Sequence, residues 1–267
     1  MKKNVQPITG CGEGDIAPYV FLCGDPERVP KISQQWDEAN EVCRVREFVV
    51  HTGKKGEVPL TAASTGVGGP STAVLFEELA KLGAHTFIRI GNSGALAEDV
   101  ALGDYVITTA SIRDEGTSTS YICPAYPASA HYEIVSALVD TVKMTDHSFH
   151  IGITWSVDGF YARNKVIGKD EKLLPMSFQG YQQSWMNPLV EDMKQAKVLN
   201  VEMESSTILT LANLFGLRAG CICTVSDRTP WSGPGQDVIK LDQNIQGAIE
   251  VATTAMMKLY KENPDNE

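Results

Sequence analysis

The segment IRIGNSG at residues 88–94 sets an arginine inside an apolar run and follows it with a turn bounded by glycines. A guanidinium seldom leaves water unless a carboxylate or another anion answers it. The turn after Arg89 offers one such setting, because glycines let the backbone come close while amide groups, Asn92 and Ser93 point at an anion. A structural acid paired with Arg89 explains the same residues, and one arginine alone does not separate the two. Related chemistry recurs along the chain. In GDPER at 24–28, Gly24 opens a turn after an apolar run and Arg28 sits near the entry to a helix, a setting that suits anions or is an ordinary turn. Glu202 and Glu204 stand two apart in VEMESS at 201–206. They face one way if the backbone is extended, or Glu204 sits at the positive end of a helix; plain helix-start carboxylates remain open. Asp227 and Arg228 close the apolar run RAGCICTVS, and Phe160 with Tyr161 ends another, either as rings for a planar ligand or as core.

These groups meet only if regular elements carry them to one place. Apolar runs at 19–23, 58–63, 86–90, 151–157 and 218–226 read as strands, with further strands at 45–51 and 102–111. Helices are expected from about residue 29, after the loop STGVGGPST at 64–72, over 132–144 and over 238–260. Residues 162–198 read as an excursion or lid over a site, and residues 1–17 as an N-terminal arm. Glycine-rich or polar turns repeatedly follow apolar strands, which is α/β layering, where ligands collect at strand ends. The 64–72 loop lacks the Gly-Lys-Ser/Thr ending of a Walker loop, and no G-x-G-x-x-G with a downstream acid supports a dinucleotide site.

The whole chain bounds these readings. Its 267 residues are 43% hydrophobic and 21% charged, ordinary for a globular protein with a sizeable core. A net charge of −10 argues against a general nucleic-acid binder while leaving room for a local positive pocket. Six scattered cysteines without a paired framework suit reduced thiols and a cytoplasmic location. His147 and His150 are spaced for a metal only if they share a helix, and no second ligand pair accompanies them. No long apolar run or export signal is present, so no membrane role is expected.

The ordered series GDPER, VREF, STGVGGPST, RIGNSGAL, VEMESS and TVSDRTP resembles the nucleoside phosphorylases of the hexameric type, the family of uridine phosphorylase and bacterial-type purine nucleoside phosphorylase. The resemblance runs from about residue 19 to 260. It implies an α/β fold, a single-domain three-layer αβα sandwich around a central mixed, partly barrel-like sheet. It also implies reversible phosphorolysis of a nucleoside to free base and pentose 1-phosphate, with phosphate as co-substrate and no cofactor or metal. By resemblance, Gly24, Arg28 and Arg89 hold phosphate, with Asn92 and Ser93 in the turn and Arg46 reaching in from a neighbouring subunit. Guanidinium forks match the oxygens of a dianion. Met203 and Glu204 match the ribose-binding pair, Glu202 assists, and Phe160 packs on base or sugar. Dimers sharing active sites, assembled into hexamers, are expected.

The base is the open point. Relatives usually carry Ser or Thr where Asn92 stands, and many have an N-terminal histidine that residues 1–10 lack here, with Gln6 as a candidate stand-in. The uridine enzymes read uracil with a glutamine and an arginine shortly after the Phe-Tyr pair. Asn164 and Val166 occupy those positions, and Arg163 is the alternative reach to the base. Asp227 resembles the purine enzymes' general acid, whereas Arg228 after it is a uridine-type feature. The sequence therefore slightly favours purine nucleosides, with uridine phosphorylase close behind; a hydrolytic nucleosidase and a non-catalytic nucleoside-binding protein are weaker alternatives.

Overall fold

In the computed structural model, residues 3–168, 170–231 and 244–263 are described. The first strands are β1 (Tyr19–Cys23), β2 (Glu38–Val45), β3 (Phe48–Lys55), β4 (Val58–Ser64), β5 (Thr86–Ala95) and β6 (Tyr105–Asp114). They are followed by β7 (Ala128–Ser129), β8 (Phe149–Val157), β9 (Lys165–Ile167), β10 (Leu173–Pro175), β11 (Asn200–Glu202) and β12 (Arg218–Arg228). The helices are α1 (Arg28–Ser33), α2 (Gly69–Lys81), α3 (Tyr132–Val142), α4 (Phe160–Arg163), α5 (Leu189–Gln195), α6 (Ser205–Phe215) and α7 (Ile245–Glu262).

One mixed sheet runs in the order β11-β8-β6-β12-β5-β1-β4-β3-β2, with β7 on β6. Because β11 also pairs antiparallel with β5 at Gly94 and Ala95, the strands β5, β12, β6, β8 and β11 close into a five-stranded barrel. The remaining strands extend from β5 as an open wing, ending in β2, whose exposed and charged residues suit an edge. β5 is thus shared by barrel and wing.

Alternation along the central strands feeds two cores. Tyr19 and Phe21 of β1 and Ile88 and Ile90 of β5 pack with α1, α3 and α7, through Val29, Leu138 and Met256 among others. Val20, Leu22 and Phe87 face the other way, against Leu75, Phe76 and Leu79 of α2 and Ile208 and Leu211 of α6. Both faces of the sheet are covered, which is why these strands read as unbroken apolar runs. The layered α/β architecture with a partly closed barrel agrees with the expected fold.

Several boundaries differ from the sequence reading. Residues 45–51 form no single strand: Val45 ends β2 and Phe48 begins β3, with Arg46 at the tip in the left-handed region (φ 54°). The second half of the 64–72 loop is already helix, since Pro70 fits the first turn of α2, where its missing N–H costs nothing. The excursion contains the antiparallel pair β9–β10, two 3₁₀ turns and α5. Part of the helix expected over 238–260 lies outside the described residues, and α7 covers the rest. In the arm, the Ile8 and Thr9 amides donate to the Glu78 carboxylate on α2 at 3.0 and 2.8 Å, and the Gln6 side chain donates to the Asn4 carbonyl.

Phe76 and Phe87 place their ring centroids 4.3 Å apart in the core between α2 and the sheet. Phe87→Ala empties that contact and is expected to cost about 3–5 kcal/mol. Urea denaturation should show a lower midpoint with an unchanged slope; an unshifted midpoint would contradict the packing described.

Candidate active site

The C-terminal ends of β1, β5, β8 and β12 and the start of α6 surround a cavity of about 560 Å³. Into it face Gly24, Arg28, Arg89, Asn92, Ser93, Phe160, Asn164, Glu202, Met203, Glu204 and Asp227, eleven residues drawn from five separate motifs.

Arg89 is the centre of the arrangement. Its guanidinium folds back along its own strand over Gly91, where a Cβ would stand 2.8 Å from Nη2; only glycine permits this. Nε donates to Glu202 Oε2 at 2.9 Å and Nη2 to Glu204 Oε2 at 2.5 Å. The structural ion pair anticipated for an isolated arginine is therefore present. Nη1, however, is buried and has no hydrogen-bond partner among the described residues. Burial alone would lower the pKa of Arg89, but Glu204 and then Glu202 hold it well above the ordinary value, so the cation persists. Burial pushes the Glu204 carboxyl up, against the pull of Arg89. The other Glu204 oxygen accepts the Gly68 amide at 2.6 Å, on the turn into α2.

Arg28 is held differently. Its Nη1 donates to the Ile90 carbonyl at 3.2 Å and its Nη2 to Asn92 Oδ1 at 2.8 Å, and no carboxylate pairs with it among the described residues. Burial, aided by the charge of Arg89, lowers its pKa, while the adjacent Cys23 thiol is pushed up to about 12 and stays neutral. A buried cation with neutral acceptors calls for an anion. Asn92, read from the sequence as a donor in the anion turn, here presents its carbonyl oxygen to Arg28. Ser93 Oγ donates weakly to the Thr224 carbonyl at 3.4 Å.

Asp227 owes its direction to a bulge. In the parallel pairing of β12 with β5, Val225 lies opposite Ser93 and Asp227 opposite Gly94, so Ser226 is the extra residue and the strand is re-aimed there. Ser226 Oγ donates to Asp227 Oδ2 at 3.0 Å. Phe160 opens α4 and meets Trp231 edge to face with centroids 6.0 Å apart. The Asn164 amide is committed: Nδ2 donates to the Phe160 carbonyl and Oδ1 accepts from Thr229, both at 2.8 Å.

Three expected site residues lie elsewhere within this chain. Arg163 is clamped by Asp114, at 2.6 and 2.8 Å, and lies over the Trp185 ring. Arg228 donates to the carbonyls of Ala97 and Val100 and braces the loop after β5. Arg46 is exposed at the β2–β3 tip and lines no part of the cavity, although its neighbour Glu47 does. Glu47, Gly66 and Val67 were not singled out as site residues. Gly66 and Val67 belong to the glycine-rich loop after β4, brought beside Gly24 by the β1–β4 pairing, whereas Glu47 stands on the β2–β3 turn without a glycine-rich signal of its own. Among the described residues no three His, Cys, Asp or Glu side chains gather to hold a metal; His150 pairs with Asp104 at 2.9 Å. No helix among them is long and apolar enough to cross a membrane, and none of the six cysteines is joined in a disulfide.

Arg89→Met leaves two buried carboxylates without their cation and should cost about 3–5 kcal/mol at neutral pH. With Arg89 gone, Glu204 binds its proton more tightly folded than unfolded. The electrostatic part of the loss should therefore vanish below the ordinary value of 4.5 and grow as pH rises through the folded value. Denaturation across pH reads this out, and a loss independent of pH would contradict the charge argument.

The profile of the phosphorylase superfamily matches residues 18–260, a span that contains the whole cavity lining. Uridine phosphorylase of Thermococcus kodakarensis is 48% identical over 224 residues, 84% of this chain and 78% of that protein. Uridine phosphorylase of Escherichia coli is 35% identical over 244 residues, covering 91% and 92% of the two chains. Guanosine phosphorylase of Halorubrum lacusprofundi is 33% identical over 260 residues, covering 95% and 99%. With six motifs, the fold and the family match in agreement, the chain belongs to the phosphorylase superfamily.

Proposed function

We propose that this protein is a nucleoside phosphorylase that splits uridine with inorganic phosphate into uracil and ribose 1-phosphate. One observation carries the phosphorolytic part: Arg89 and the carboxylate-free Arg28 line the same cavity as Glu204 and Met203. Glycosidic cleavage builds positive charge on the sugar while electrons flow into the base. Two fixed guanidiniums suit a phosphate dianion poised against that charge, and a carboxylate beside them suits the sugar hydroxyls. A hydrolytic nucleosidase has no use for two such arginines.

The choice of base departs from the purine preference read from the sequence. That preference rested on Asp227, but relatives at 48% and 35% identity are uridine phosphorylases, and the comparisons favour uridine. The purine reading keeps one specific support, since Asp227 does line the cavity and the relative from Halorubrum lacusprofundi is a guanosine phosphorylase.

The assembly belongs to the proposal too. Arg46 stands exposed on a hairpin tip, where it could complete the site of a neighbouring copy rather than its own. That placement supports a homo-oligomer with shared sites, as in the expected hexamer, and cysteines outside any disulfide support a cytoplasmic setting.

Uridine, inosine and guanosine assayed with and without phosphate test the activity. Uridine turnover that requires phosphate is expected, with kcat/KM for uridine above that for guanosine; turnover without phosphate would end the phosphorylase reading. Arg28→Ala should raise the phosphate KM by about tenfold or more and the nucleoside KM far less. For shared sites, Arg46→Ala and Glu204→Gln should each lose most of the activity alone while keeping a measurable residue, and mixed and reassembled subunits should recover up to about a quarter of the original activity. No recovery would place Arg46 outside the site.

A further inference from the structure

Glu202 and Glu204 flank Met203, but their oxygens are used differently. Glu204 accepts two hydrogen bonds, from the Gly68 amide and Arg89 Nη2, which leaves it capacity for a sugar hydroxyl. Glu202 is full. A carboxylate offers about four lone-pair sites, and Glu202 receives four donors. These are Arg89 Nε at 2.9 Å, the Glu204 amide at 2.9 Å, the Ser205 amide shared between both oxygens at 3.0 and 2.9 Å, and Ser205 Oγ at 2.6 Å. Its side chain is 1% exposed. To accept from a sugar it would have to release one of these donors into a buried, unpaired state.

We infer that Glu202 is a positioning residue that aims the anion-binding Arg89 and the sugar-facing Glu204 together and does not itself touch the sugar. This rests on the proposed function. One oxygen, Oε2, accepts both the Arg89 Nε–H and the Glu204 backbone N–H, so the guanidinium and the start of α6 are fixed to a single atom. Ser205 Oγ, which donates to Oε1, also lies 2.7 Å from Ser111 Oγ on β6, tying the same carboxylate to the barrel. A change at Glu202 therefore reaches phosphate first, through Arg89, and leaves the recognition of the sugar hydroxyls to Glu204.

Calorimetric titration with inorganic phosphate alone, on the unsubstituted protein and on Glu202→Gln, Ser205→Ala and Glu204→Gln, tests this. It is paired with kcat/KM for uridine and 2′-deoxyuridine. In Glu202→Gln one oxygen becomes an NH₂ group facing donors, so phosphate affinity should fall about tenfold or more. The ratio of uridine to 2′-deoxyuridine should stay within about twofold, whereas Glu204→Gln should lower it. Ser205→Ala removes one hydroxyl, keeps the fold, and should weaken phosphate by about threefold with the ratio unchanged. A Glu202→Gln or Ser205→Ala protein with intact phosphate affinity, or a Glu202→Gln ratio that falls as in Glu204→Gln, overturns the assignment. Failure of the unsubstituted protein to bind phosphate is a different result and overturns the proposed function itself.

Discussion

A guanidinium removed from water must be answered by charge, and much of this protein is arranged to answer Arg89. Its two carboxylates come from residues more than a hundred positions away, on β11 and at the start of α6. Bringing them there requires the barrel to close, because β11 reaches Arg89 only by pairing with β5 as well as β8. It also requires Gly91, over which the side chain folds. Breaking one member leaves the others buried and uncompensated, which costs several kcal/mol. The cluster is thus a condition of the fold as much as a part of the site.

Formal charge around the cavity is not what would draw an anion in. Arg28 and Arg89 supply two positive charges, while Asp25, Glu47, Glu202, Glu204 and Asp227 supply five negative ones, a formal excess of three. An anion on this wall would gain from the fixed geometry of the two guanidiniums rather than from a net positive field.

What could be read in advance follows the range of the interactions. The apolar runs of β1, β5 and β12 and the stripes of α2, α3 and α7 are local, and they stood in the sequence. So did the anion character of the turns at Gly24 and Asn92, once Arg28 and Arg89 were set side by side. The partners of Arg89 were not legible, since its two carboxylates lie more than a hundred positions downstream. Nor were the contacts of Arg163 and Arg228, because an arginine's reach exceeds that of its motif: Asp114 and the carbonyls of Ala97 and Val100 hold them. The bulge at Ser226 and the closure by three-residue β11 leave no periodic trace. At the base end, the contacts of Asn164 with the Phe160 carbonyl and Thr229 leave no periodic trace either.

The two-sided pairing of β5 has a consequence for how this protein breathes. β12 engages β5 from Thr86 to Ala95, β1 from Thr86 to Arg89, and β11 at Gly94 and Ala95. Where both flanks are paired, as at Arg89, the strand opens only with the sheet around it, whereas Ile90 to Ser93 are held from the β12 side. The Phe160 side hangs instead on the three-residue pair β9–β10 and on short turns carrying exposed Phe178, Tyr181 and Trp185. Local opening is cheapest there. Easy opening is thereby concentrated at the Phe160 wall of the cavity, while the wall that carries Arg89 is held by the sheet itself.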